Sequence, residues 1–436
     1  MRKTVRFFLS ILLSATMGIF PSLRAQESDA KQTAVEFFGK GHYTQAVSIL
    51  ETAVRDHPQD AELHYLLGFY THYLCYDSVP LIGFDQGVSD RILGHLETAI
   101  RLDPDLGDAY YFLGAEYGAR AVDALRARDT RRLVRELKEG LQKQAFPKWM
   151  LEYARNMLRS CEKDAVLFTG GDAEYNPLIV IQQLESFRKD VTIIPAALLN
   201  RPWFVLILKQ GLRGFLPALP IRWSEEQILD MHPYKAKDPS KEIPVSPQAV
   251  QRYGIDLPPD SLKLVFKPSL LSDTDGRTFL RTGDALVCEF LSANEWRKPV
   301  YFTMGSNLQS DLGLTPFLQM SGFVLKLLPV AADPHGLAMD VPSVEKILLD
   351  PENLKNFSDV TTHPMPRVMS LLNNYRTVLL NLAVLHQNTG HPDRARDVLR
   401  FMDTHMPETV LPVPDYLKPS QDRIRELLDG SSGKKE

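Results

Sequence analysis

The chain has only three cysteines in 436 residues: Cys75, Cys161 and Cys288. An odd number cannot all pair within one chain, and no C-x-x-C spacing occurs, so no disulfide framework is indicated. Apolar neighbours such as Leu74 and Val287 mark them as buried, unreactive thiols. No uncharged apolar run of about 18 residues exists, which excludes a multi-spanning membrane protein. Positive charge is not in excess either, since 50 basic and 54 acidic residues give a net charge of −4. Sequence-independent nucleic-acid binding needs a basic surplus to displace phosphate counterions, so nucleic acid is excluded as a partner. G-x-G-x-x-G, G-x-S-x-G and H-E-x-x-H are all missing, which leaves dinucleotide binding, a serine-hydrolase elbow and zincin chemistry without support. No cofactor and no metal are expected. Asp273-Thr274-Asp275-Gly276 opens like a calcium loop, but position 284 is Asp284 rather than the required Glu, and a hairpin turn is the better reading. His64 and His72 share a helix face without further ligands, and helix packing accounts for them.

What is present describes a folded, multi-domain chain. It is 44% hydrophobic and 24% charged, and its length allows two or three domains of about 150 residues. Residues 1–25 read as a signal peptide: Arg2, Lys3 and Arg6, an apolar run over 7–20, then small Ala25. The expected location is periplasmic or secreted, with no transmembrane span after signal removal.

Residues 26–160 carry an internal repeat. Ala46, Leu50, Ala53 and Pro58 are matched by Ile92, Leu96, Ala99 and Pro104. Leu67-Gly68 recurs as Leu113-Gly114. This resembles the tetratricopeptide repeat, in which small residues let paired helices approach and stacking buries the apolar faces. The spacing is longer than that repeat's, and the loop-forming stretch 77–87 accounts for the excess. A third pair departs from the pattern at Arg128, Arg131 and Arg132, so its second half, within 126–143, reads as a capping helix with a solvated charged face. Such repeats offer a concave surface to a protein or peptide.

Residues 161–335 change to an α/β pattern. The run 164–169 (DAVLFT) is a buried strand ending in Gly170-Gly171, a helix follows with Pro177 in its first turn, and 191–195 (VTIIP) is the next strand. Strand, helix, strand in about 30 residues is a βαβ unit and predicts a mainly parallel sheet. The proline-rich stretch 211–260 reads as loops. Further strands are expected at 262–267, 299–303 and 323–328, with a helix over 284–292. Residues 336–425 return to a helical, repeat-like region, and 426–436 form a disordered tail. The fold class is thus α/β plus all-α: N-terminal tetratricopeptide-like helices, a central mainly parallel α/β domain and a C-terminal helical pair.

The candidate site follows the first strand. Ligands in open α/β sheets bind where strands end, and Gly171, Asp172, Glu174 and Asn176 lie between such an end and a helix. Asn200 and Trp203 follow the second strand and fall on the same sheet edge. Carboxylates, amides and an aromatic suit recognition of sugar hydroxyls. The alternative is structural: Gly170-Gly171 makes the turn, Asp172 or Asn176 caps the helix, Asn200 forms a turn and Trp203 is core. No residue stands out as catalytic. Asp172 and Glu174 as paired carboxylates for glycoside hydrolysis lack a fixed separation.

The stretch DAVLFTGGDAEYNPLIVIQQLESFRKDVTIIPAALLNRPW resembles the soluble extracytoplasmic region of a bacterial multi-spanning membrane family. That family is related to the transmembrane O-mannosyltransferases of the GT-C class. Gly171, Asp172 and Pro177 fall on the family's G, D and P. Asp190-Val191 falls on its DV, and Leu198, Leu199, Asn200 and Trp203 on its LLN…W. The segment 294–303 (NEWRKPVYFT) and the stretch 314–329 resemble later family segments, so the likeness spans roughly 160–410. Gly170, Ala173, Glu174 and Asn176 depart from the family pattern. The resemblance implies the soluble domain's fold but not glycosyl transfer, because the family's catalytic machinery lies in membrane helices absent here. The leading expectation is therefore an exported, non-catalytic interaction protein. It would bind a protein or peptide through the repeats and a glycan through the α/β domain, accessory to envelope protein glycosylation. The alternatives are an enzyme acting on a sugar or envelope substrate from the Asp172 cleft, and a structural spacer.

Overall fold

The computed structural model describes residues 23–79, 81–253, 263–332 and 338–432. The expected signal peptide, up to position 22, and the last four residues of the tail lie outside the described residues, while the tail expected to be disordered from 426 is helical as far as Ser432. The chain forms two compact units divided between Ala109 and Tyr110.

The described residues of the first unit form α1 (Leu23–Gly39), α2 (Tyr43–Asp56), α3 (Ala61–Tyr76) and α4 (Gln86–Leu102). Aspartates start two of them. Asp60 accepts from the Leu63 amide at 2.9 Å and Asp85 from the Val88 amide at 2.8 Å, pairing amides that the first helical turn leaves open. Helices α1 and α2 pack together, as do α3 and α4. At Gly68 of α3 a Cβ would lie 2.8 Å from Leu96 Cγ of α4, so the glycine is what permits the close approach. Ala46, Leu50 and Ala53 of α2 are buried, and Phe38 of α1 stacks on Tyr70 of α3 at 4.0 Å. The inserted stretch forms the loop from α3 to α4, anchored by a 2.8 Å hydrogen bond from the Tyr43 hydroxyl to Asp77.

The second unit holds the sheet. After α5 (Gly107–Arg126), α6 (Thr130–Gln142) and α7 (Lys148–Ser160) come β1 (Val166–Thr169), α8 (Asp172–Leu184), β2 (Thr192–Pro195) and α9 (Pro202–Gln210). Next are α10 (Glu225–Leu229), β3 (Tyr234–Lys235), β4 (Lys241–Pro244), α11 (Pro247–Arg252), β5 (Lys263–Phe266), β6 (Leu271–Ser272) and β7 (Thr278–Leu280). Then follow α12 (Thr282–Asn294), β8 (Val300–Phe302), α13 (Leu308–Asp311), β9 (Leu318–Ser321), β10 (Val324–Leu327), β11 (Ala338–Asp340) and α14 (Val341–Leu348). Three helices, α15 (Asn373–Asn388), α16 (Pro392–His405) and α17 (Lys418–Ser432), complete the unit.

The main sheet has the order β11-β9-β10-β8-β1-β2. Its centre is parallel, with Phe168 of β1 in register between Ile194 of β2 and Phe302 of β8. The βαβ unit expected from the sequence is present, but the sheet as a whole is mixed. Strand β10 runs antiparallel to both β8 and β9, turning at Gly322 (φ +61°), where a Cβ would lie 2.4 Å from Ser160 Oγ. The strand pattern around 323–328 gave no sign of its hairpin partner β9.

The proline-rich stretch is more ordered than a run of loops. Ser224 and Gln227 form a reciprocal capping box that starts α10, and Ser246 caps α11 just ahead of Pro247. There the proline marks a first helical turn rather than a loop. Helix α6 buries Leu133, Glu136, Leu137 and Gly140 while its remaining charges face outward. In the C-terminal region, the buried Arg376 donates to the carbonyls of Met406, Leu411 and Pro412 and to Asn373 Oδ1, tying α15 to the loop after α16.

Candidate functional site at the carboxyl edge of the parallel strands

Because β8, β1 and β2 are parallel, their carboxyl ends open onto one edge. The segments that follow them there are Gly170-Gly171, the 3-10 turn Ala196–Asn200 and the loop from Thr303 to Asn307.

A buried carboxylate joins two of these segments. Glu174, in the first turn of α8, is 2% exposed. Its Oε2 accepts from the Gly170 amide at 3.0 Å and from the Thr303 hydroxyl. Its Oε1 accepts from the Gly305 amide at 3.2 Å. The two backbones meet closely: a Cβ on Gly170 would lie 2.6 Å from the Gly305 carbonyl oxygen, and one on Gly305 would lie 2.7 Å from Glu174 Oε1. Gly170 therefore requires glycine against backbone, whereas a side chain at Gly305 would displace the Glu174 carboxylate. Burial raises the Glu174 pKa, and the Thr303, Gly170 and Gly305 hydrogen bonds oppose that rise.

The other sequence candidates are distributed around this strut. Gly171 is the N-cap of α8, and no side chain caps that helix, so neither Asp172 nor Asn176 performs the capping role considered from sequence. Asp172 is exposed on the first turn of α8. Asn176 is buried against α5, where a Cβ on Gly118 would come within 2.2 Å of its Nδ2. Asn200 is exposed and its Oδ1 accepts from the Gly283 amide at 2.9 Å, at the start of α12. Trp203 is half-buried on the first turn of α9, edge-on to Phe204 at 5.7 Å. Glu174 thus bonds to Gly170, Thr303 and Gly305, whereas Asn200 bonds to α12.

Sequence reasoning missed the second polar group at this edge. Arg281, the residue preceding α12, points Nη1 at Asp284 Oδ2 (3.4 Å) and at Asp311 Oδ2 (3.3 Å). Asp284 is buried, and burial raises its pKa against the pull of Arg281. The Arg-x-x-Asp spacing was the available signal, but Asp311 is remote in sequence and gave none. Thr303 was likewise hidden inside a strand motif.

This edge suits hydrogen bonding to a neutral, hydroxyl-rich ligand better than holding an anion. The first turn of α8 presents backbone amides but carries Asp172 and Glu174, whose charge offsets the attraction of a helix start for anions. Among the described residues, no three His, Cys, Asp or Glu side chains are grouped to hold a metal ion.

Residues 150–236 and 237–345 match the family model of TMEM260-associated domain 2. The two segments run from within α7 to within α14 and so include the whole main sheet and the edge just described. A comparison with curated proteins gives no match. No helix among the described residues is long and apolar enough to cross a membrane.

Proposed function

We propose that this chain is an exported, non-catalytic interaction protein that works beside a membrane-embedded O-mannosyltransferase-like protein. One observation carries the reading. The sheet-bearing segment matches TMEM260-associated domain 2, while the described residues include no helix able to cross a membrane. In the family that the sequence resembles, the transfer chemistry sits in membrane helices. A chain that carries the associated domain is suited to binding a partner or the glycosylated product.

The helices of the first unit, read as tetratricopeptide-like repeats, supply the surface for a protein or peptide. The carboxyl edge, with Asp172, Asn200 and Trp203 solvent-accessible to differing degrees, supplies contacts for a glycan. Glu174 is the hydrogen-bonded strut beneath it, and three donors already occupy its oxygens.

The test is crosslinking of the tagged protein in its native cells, followed by mass spectrometry. Recovery of a multi-spanning glycosyltransferase or a glycosylated envelope protein is the expected result. Capture of neither, from a verified exported fraction, overturns the reading. For the glycan component, Asp172→Ala and Trp203→Ala should each weaken binding to a mannosylated peptide, and unchanged affinity in both refutes that assignment. The rival reading is an enzyme that uses the exposed Asp172 beside the buried Glu174. It predicts turnover of a sugar substrate, abolished in Asp172→Asn.

A further inference from the structure

We infer that His64 and His95 form a proton-sensitive joint between α3 and α4, closed when both rings are neutral and opened by acid. The geometry fixes the tautomers. His64 Nε2 lies 3.2 Å from the Pro58 carbonyl oxygen, and a carbonyl only accepts, so this nitrogen carries the hydrogen. In a neutral ring His64 Nδ1 is then the acceptor. It lies 3.0 Å from His95 Nδ1, which must donate. The pair is a single N–H···N hydrogen bond linking the two helices, with the Pro58 turn holding one ring in place.

Adding protons works against this arrangement in two stages. A first proton preserves the hydrogen bond but places charge between packed helices. A second leaves hydrogens on both Nδ1 atoms, and two donors then face each other at hydrogen-bond distance. His64 is 8% exposed and His95 half-buried, so the two charges are only partly solvated. The surrounding charges do not favour the protonated pair. Arg91 sits one turn before His95 on α4. Asp60, at the start of α3, is already bound by Lys31 of α1, which also holds Glu62. Helix α2, packed on α1 and α3, buries Ala46, Leu50 and Ala53, and its Glu51, Arg55 and Asp56 are exposed. His57, beside Pro58, is the one further titratable group of the adjoining turn. Burial first, then His64 and Arg91, lower the His95 pKa from 6.5 to about 4.

The sign follows from that depression. The unfolded chain takes up a proton near the ordinary histidine value, while His95 in the closed joint resists until well below it. Stability from the joint is therefore complete above pH 6.5 and is lost as pH falls towards about 4.

The experiment is nitrogen-shift NMR of the histidine rings in the full chain, combined with amide exchange of α3 and α4 at pH 7.5 and 5.0. The expected tautomers are Nε2–H for His64 and Nδ1–H for His95, with His95 titrating below 6. Protection in α3 and α4, corrected for the intrinsic pH dependence of exchange, should fall about tenfold or more at the lower pH. In His95→Phe that pH-dependent loss should be absent. His95 titrating at 6.5 or above, the opposite tautomers, or protection in the native chain that ignores pH would each overturn the joint. The ring titrations need no variant, so a His95→Phe chain that fails to fold leaves the test intact.

Discussion

Glu174 shows how a side chain that reads as a ligand group from sequence becomes a structural one when its surroundings are known. A carboxylate beside two glycines at a strand end has the composition of a binding loop. Its oxygens, however, accept from two backbone amides and the hydroxyl of the buried Thr303. Removing it in Glu174→Ala takes the acceptor from the buried Thr303 hydroxyl and from the Gly305 amide, while the Gly170 amide keeps Thr303 Oγ1, and the expected loss is about 2 kcal/mol by chemical denaturation. Glu174→Gln retains the shape and one acceptor oxygen, and the Thr303 hydroxyl can turn to accept from the new amide, so the loss should be about 1 kcal/mol. Equal losses in the two variants would mean that the charge, not the hydrogen bonding, holds the edge together. The pH dependence has a definite sign. The folded pKa of Glu174 is raised above 4.5, so the native state binds its proton more readily than the unfolded chain does. This group's contribution to stability should decline as pH rises above 4.5 through the folded value, and that component of the slope should vanish in Glu174→Gln.

At the scale of elements, the parts legible in sequence were those with a local period or a local cap. The βαβ unit around Gly170-Gly171 was readable because short apolar runs and a first-turn proline lie within about 30 residues. The Asp273–Gly276 hairpin was readable from its Asp-Gly turn, and it joins β6 to β7 with Asp273 accepting from the amides of Asp275 and Arg277. The mixed character of the sheet was not readable, because β9 carries the polar Gln319 and Ser321 and its antiparallel pairing with β10 depends on a turn packed on Ser160. The Arg281–Asp284–Asp311 group was not readable for a related reason: one member comes from a different loop. Asn200 was noticed, but its tie to α12 depends on a contact 83 residues away. That tie makes a further prediction. Asn200→Ala removes the only side-chain oxygen shown to meet the Gly283 amide, and stability should fall by about 1 kcal/mol, as at a lost helix cap. A wild-type denaturation midpoint in Asn200→Ala would show that water replaces the amide oxygen without cost.

For the whole molecule, the scarcity of cysteine becomes a statement about how the fold is held. All three cysteines are buried, one in the first unit and two in the second. Burial pushes both Cys161 and Cys288 up to about 12, so at neutral pH almost none of either is the reactive thiolate. The core therefore rests on packing such as the stacked Phe323 and Tyr375, 4.2 Å apart, with Tyr153 edge-on to both, rather than on crosslinks. A thiol reagent added to the native chain should label none of the three within minutes, and all three once the chain is denatured. Reducing agent should leave the thermal midpoint unchanged. Labelling can also report on the acid-sensitive joint, because Cys75 belongs to α3 near the loop that leads to α4. If acid loosens that helix pair, Cys75 should become reactive when the chain is held at pH 5 with a reagent that works in acid, while Cys161 and Cys288 stay protected. Simultaneous exposure of all three would instead mean that the chain opens as one cooperative body, and that α3 and α4 have no separate response to protons.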